Sequence, residues 1–224
     1  MTGIGDMQFR YFFDPLCGWC YASAPALAAL TEQAGDRLAM MPSGLFAAPR
    51  PTASIADHAW HNDQRIASMT GQPFSEAYHQ RVLQAPGGVF DSSALTHALV
   101  ALGEWQHGLE PRFLHQAQIA RYVGGEDTSD GMVVARIAAS VADQAGIALD
   151  AAALADRLRH DADLHARTDA RIGETQRAMA ALRISGVPQL VAIVGGRHVI
   201  VRGDDIYAGG DRLLTALAAL DRAA

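Results

Sequence analysis

The sequence predicts an α/β protein whose single sheet is assembled from two distant pieces of chain, with a block of helices between them. Three observations predict it. Strand-like apolar runs stand near the two ends, at residues 7–13 and 37–41 and again at 189–194 and 198–201. From about Thr52 to Ala181 such runs vanish and helical spacing dominates. The order is therefore β-α-β, then helices, then β-β-α, and the two ends share one sheet only if the helices are an insertion. That assigns residues 1–50 and 183–224 to one discontinuous domain and 51–182 to the inserted helical one.

The first strand, 7–13, is mostly apolar and is closed by Asp14-Pro15. A helix follows from the two cysteines to Ala34, stopped by Gly35. Pro25 lies inside it, removes one hydrogen bond and predicts a kink. The strand at 37–41 is broken by Pro42-Ser43-Gly44. Helical segments are expected near 54–69, 75–83, 92–106, 110–122, 129–144, 150–159 and 164–182. Gly and Pro punctuate them, and Ser92 and Asp150 are placed to cap. Residues 189–194 form a continuous apolar run, as in a buried strand. Gly195-Gly196 marks a hairpin into the return strand. Gly209-Gly210 leads into a last helix, 211–222, and Asp204-Asp205 reads as a solvated turn.

The chemistry concentrates in Cys17-Gly18-Trp19-Cys20, which holds the only two cysteines of the 224 residues. A C-x-x-C that follows a strand and opens a helix suits thiol–disulfide exchange. The helix start offers unpartnered N–H groups and partial positive charge, which favour thiolate over thiol. Cys17 is the expected nucleophile. Cys20, a turn further in, is expected to be the more buried sulfur and to resolve a mixed disulfide. Gly18 and Trp19 set the surroundings: Trp19 cannot stabilise a thiolate by charge as a histidine would, but it can offer an apolar face to a substrate. Asp14 is either an acid near the sulfur or a turn residue. Glu32 is expected to be exposed.

Composition removes several alternatives. A formal charge of −6 argues against nucleic acid as a partner. All 18 basic residues are arginine, which excludes Schiff-base, pyridoxal phosphate and Walker-type phosphate chemistry, each of which needs a lysine. No metal is expected. Structural zinc wants four ligands, and neither Asp57, His58 and His61 nor His160, Asp161, Asp163 and His165 makes a full set. No run reaches the ~20 apolar residues of a membrane helix, and the start lacks the basic-then-apolar pattern of a secretory signal. A cytoplasmic location is expected, where a C-x-x-C pair is catalytic or metal-binding.

The arrangement resembles the thioredoxin fold, specifically its DsbA-like branch with a large inserted α-helical domain. Cys17-Gly18-Trp19-Cys20 at the helix start, Pro25 within that helix, and Gly186-Val187-Pro188 before a buried strand carry the resemblance. The stretch from Phe13 to Tyr21 is similar to a cytosolic FrnE-like subgroup of predicted protein-disulfide isomerases. The resemblance implies a thiol–disulfide oxidoreductase acting on protein or peptide thiols and disulfides, with no cofactor beyond its own redox-active pair and with glutathione as a possible co-substrate. It also implies a cis bond before Pro188, which leaves the Val187 backbone N–H and C=O open to an extended substrate. Two alternatives remain. Glutathione-dependent transferases of the kappa type and hydroxychromene carboxylate isomerases resemble the same layout, with a serine where Cys17 stands. A non-catalytic redox-sensing binding module would also keep the pair.

Overall fold

The computed structural model describes residues 4–222. Strand β1 (Gln8–Phe13) is central in a four-stranded sheet of order β2-β1-β5-β6. It pairs in parallel with β2 (Leu38–Pro42), Phe9 opposite Leu38, and antiparallel with β5 (Gln189–Val194), Phe9 opposite Ala192. Phe9, Tyr11, Phe12 and Phe13 are all buried, because helices cover both faces of this strand. Strand β6 (Arg197–Ile200) returns antiparallel to β5. Gly195 and Gly196 take φ of 55° and 80° between them, the pair of positive angles that a two-residue hairpin turn demands. The ends of the chain thus complete one sheet, as the element order predicts.

The helix after β1 differs from the expectation. It is two helices, α1 (Gly18–Ala22) and α2 (Ala24–Ala34), broken at Ser23. Pro25 falls in the first turn of α2, where its missing N–H would have had no partner, so the proline starts a helix instead of kinking one. Side chains satisfy the break. Gln72 Nε2 donates to Tyr21 O at 3.1 Å, and Ser23 Oγ donates to Cys20 O at 2.9 Å while pairing with the Tyr11 hydroxyl at 2.6 Å.

Between the sheet halves run β3 (Arg50–Pro51), α3 (Ala56–Thr70), α4 (Glu76–Tyr78, continued by a wider turn to Leu83), β4 (Val89–Phe90), α5 (Ser93–Gly103), α6 (Leu109–Tyr122), α7 (Gly131–Asp143), α8 (Ala151–His160) and α9 (Ala162–Leu182). The β3–β4 ribbon lies where no strand was expected; two residues a side are too few to show a period. Asp130, Asp150 and Asp161 cap α7, α8 and α9 with side-chain bonds. Ser92 precedes α5, but its hydroxyl is diverted to Asp14 and does not cap.

One apolar core runs from the sheet into the helices, through Phe9, Leu30, Leu99 and Val134. A buried polar clamp crosses the same junction: Arg171 of α9 holds both oxygens of Glu110 in α6, at 2.7 and 2.5 Å, and the Met40 carbonyl of β2 at 2.6 Å. The chain ends in α10 (Gly203–Tyr207) and α11 (Gly210–Arg222), α11 packing on α2. Asp205 is buried in α10 and accepts from Arg212 Nε at 2.7 Å, which corrects the reading of Asp204-Asp205 as a solvated turn. The spacing from 205 to 212 is two helical turns across a loop, and sequence periodicity does not reveal such a pair. Among the described residues no helix is long and apolar enough to cross a membrane.

Candidate active site

Cys17 sits at the N-cap of α1 in an extended conformation, its carbonyl accepting from Cys20 N at 2.9 Å and Tyr21 N at 3.1 Å. Cys17 is 8% exposed, against 1% for Cys20, so Cys20 is the more buried of the two free cysteines. Burial pushes the Cys20 thiol well above its ordinary pKa, and the neighbouring Cys17 adds to the shift. Cys17 Sγ lies 3.7 Å from the carbonyl oxygen of Val187, 170 residues away. The Val187–Pro188 bond is cis. The sheet explains this meeting: Cys17 follows β1, Pro188 precedes β5, and the two strands run antiparallel side by side.

Asp14 is fully buried and does more than turn the chain. One carboxylate oxygen accepts from Leu16 N at 3.0 Å; the other accepts from Phe46 N at 3.0 Å and Ser92 Oγ at 3.2 Å. It therefore ties the cysteine loop to the loop after β2 and to the start of α5. Burial raises its pKa despite these bonds, and its charge in turn raises that of Cys20. Trp19 is half-buried, its ring 5.1 Å from that of Tyr207 in α10. Burial, then the two cysteines, hold the Tyr207 phenol above its ordinary pKa. At Gly18 there is no room for a side chain, because a Cβ would overlap the Asp63 carboxylate of α3.

A pocket of about 430 Å³ opens beside the sulfur, lined by Cys17, Trp19 and Val187 together with Arg50, Asp63 and Tyr78. Asp63 is buried and accepts from the Tyr78 hydroxyl at 3.0 Å. Burial raises its pKa to about 7, against the lowering pull of the Tyr78 bond and Arg121. Residues 9–220 match the DsbA-like thioredoxin domain.

The chain belongs to the DsbA-like thioredoxin family.

Among solved structures the chain is similar to the cytosolic disulfide reductase DsbM from Pseudomonas aeruginosa, 28% identical, with a TM-score of 0.81 over 97% of this chain and 100% of that one. The same protein solved with glutathione is similar at a TM-score of 0.79, 28% identity, and 96% and 99% coverage. A proposed protein disulfide isomerase from Nitrosomonas europaea, 21% identical, shares the fold at a TM-score of 0.71, with 97% and 98% coverage. No curated protein matches the sequence.

Of the residues singled out from the sequence of this DsbA-like chain, Cys17, Gly18, Trp19 and Val187 line the pocket, Cys20 is buried a turn further into α1, Pro188 follows Val187 across the cis bond, and Asp14 is tied to Leu16 beside Cys17. Glu32 is exposed, at the far end of α2. Asp57, His58 and His61 lie on the exposed side of α3, and His165 is held by the Leu158 carbonyl at 2.8 Å. Among the described residues no group of three or more such side chains could hold a metal. Arg50, Asp63 and Tyr78 escaped the sequence reading. Only Asp63 left a trace: it falls in the apolar stripe of α3, one turn before the fully buried Ile66.

Proposed function

We propose that the protein is a cytosolic thiol–disulfide oxidoreductase that reduces disulfides of protein or peptide substrates and is itself re-reduced by glutathione. The observation that carries this reading is the Cys17 sulfur at the mouth of a pocket, 3.7 Å from the Val187 carbonyl beside Pro188. DsbM, a cytosolic disulfide reductase also solved with glutathione, supports the direction and the co-substrate. In this reading the Cys17 thiolate attacks a substrate disulfide, forming a mixed disulfide and releasing one substrate thiolate. Cys20 then loses its proton and attacks Cys17 Sγ, releasing the second substrate thiolate and leaving the Cys17–Cys20 disulfide. In this reading Asp14, whose charge acts on Cys20, takes that proton. Trp19 and the Val187–Pro188 backbone orient the substrate, and Gly18 keeps the loop close to α3. No metal or organic cofactor takes part.

The test is exchange chemistry on the purified protein. Insulin reduction should require Cys17, and Cys20→Ser should accumulate mixed disulfides visible by mass spectrometry. Equilibration with glutathione should give a potential nearer the about −270 mV of thioredoxin than the about −120 mV of DsbA. Full reductase activity in Cys17→Ser would reject the assignment.

A further inference from the structure

Arg50 stands on the wall of the Cys17 pocket, and its charge is unspent. Its guanidinium lies 5.2 Å from the Phe46 ring centroid and 5.5 Å from that of Phe90, so two aromatic faces hold it in place. Among the described residues its side chain makes no ion pair and no hydrogen bond, and Nε is buried without a partner. The partly buried head of Arg171, by contrast, is matched by Glu110. Arg121 is also short of partners, but it is 1% exposed, bonded to Thr128 and not on the pocket lining. Arg50 alone faces the space beside the reactive sulfur.

We propose that Arg50 binds a carboxylate of the small-molecule thiol that exchanges with Cys17, so that this pocket selects acidic thiols over neutral or cationic ones. The proposal rests on the exchange activity proposed above. A rigid, planar guanidinium matches a carboxylate with two parallel hydrogen bonds, and aromatic stacking removes much of the ordering cost. The pocket's other acid does not compete. Asp63 is turned to the Tyr78 hydroxyl, and burial keeps it largely protonated up to about pH 7. His58 is the remaining titratable side chain on the lining. In a chain of formal charge −6, an unpaired cation beside the sulfur is a local exception. A space of about 430 Å³ suits a molecule of small-peptide size.

The step balances without a further reactant. One acidic thiolate attacks Cys17 Sγ of the oxidised pair, the Cys17–Cys20 bond breaks, and Cys20 leaves and takes a proton. A second thiolate attacks the small-molecule sulfur of the mixed disulfide, releasing the Cys17 thiolate and a small-molecule disulfide. Two thiols are oxidised by two electrons and the protein disulfide is reduced.

The experiment measures the rate at which the oxidised full-length protein is reduced, by alkylation quench and mass spectrometry. Glutathione is compared with its diethyl ester, which keeps the thiol and removes both carboxylates, and with dithiothreitol. Wild type should be reduced at least tenfold faster by glutathione than by the ester. Arg50→Gln should erase that preference and leave the dithiothreitol rate unchanged; Arg50→Lys should restore part of it. The dithiothreitol rate also reports that each variant is folded with a competent pair. A glutathione preference that survives in Arg50→Gln overturns the proposal, as does an equal loss with all three reductants. A protein reduced by dithiothreitol that keeps the Arg50-dependent preference but never reduces insulin would leave Arg50 in place and refute the protein-reductase reading instead.

Discussion

Asp63→Asn isolates the cost of a charge beside the dithiol. In the folded protein burial lifts the Asp63 carboxyl to about pH 7, whereas in an unfolded chain an aspartate titrates near ~3.9. Between those values the folded state holds the proton and the unfolded state does not. Stability from this group is therefore fully present below about pH 4 and is lost as pH rises toward 7. At 1.36 kcal/mol per pKa unit the whole effect is about 4 kcal/mol, and integrating the two titrations puts ~2.6 kcal/mol of it between pH 5 and pH 8. Asparagine is isosteric, cannot ionise, and still accepts the Tyr78 hydroxyl bond. Urea unfolding of wild type and Asp63→Asn at both pH values removes every other titrating group by subtraction. The variant should gain about 2–3 kcal/mol relative to wild type on going from pH 5 to pH 8. Equal differences at the two pH values would show that Asp63 ionises freely when folded, and the argument from its burial would fail.

Three further outcomes are expected. Gly18→Ala should cost roughly 1–3 kcal/mol in thermal or urea unfolding through overlap with Asp63, and the cost should shrink in an Asp63→Ala background, as a double-mutant cycle would show. Trp19, covalently next to the reactive pair and packed on Tyr207, should change its fluorescence on oxidation; identical spectra in Trp60→Phe/Trp105→Phe protein, oxidised and reduced, would contradict that geometry. Asp14→Asn should leave attack by Cys17 intact but slow release of the mixed disulfide, seen by acid quench and mass spectrometry, because in the proposed exchange Cys20 loses the group that takes its proton; an unchanged release rate would assign Asp14 to architecture alone.

What the sequence disclosed follows from the range of the physics involved. The strands and most helices were legible because burial imposes a local period, and the C-x-x-C because its two sulfurs are three residues apart. Val187 beside Cys17 was legible only through the resemblance, since no local rule links positions 170 apart. The break at Ser23 was not foreseen, and Pro25 was read as a kink inside one helix, because a proline reads alike within a helix and at its start. The rest of the pocket's wall was not legible. Arg50 is distinguished by the partners it lacks, Tyr78 by one bond across helices, and Asp205 by an arginine beyond a loop. Each is a property of the packed chain, and none leaves a period.

The helical insertion also holds the dithiol still. The cysteine segment is a loop and a single helical turn, too short to be stable alone. Its two ends are fixed from the insertion: Tyr122 of α6 donates to the Leu16 carbonyl at 2.8 Å, immediately before Cys17, and Gln72 takes the Tyr21 carbonyl immediately after Cys20. Asp14 adds a third tie through Ser92. Tyr122 is 1% exposed and stacks on Tyr21 with ring centroids 4.9 Å apart, so its hydroxyl cannot swing away without disturbing packing on both sides. An unmet buried carbonyl costs about 1–3 kcal/mol, so the buried Tyr122–Leu16 tie resists displacement of the loop by an energy comparable to the stacking beneath it. The insertion that supplies Asp63 and Tyr78 to the pocket thus also sets where the Cys17 sulfur stands, which is why the pocket wall and that sulfur keep a fixed relation although Cys17 and Asp63 are 46 positions apart in the chain.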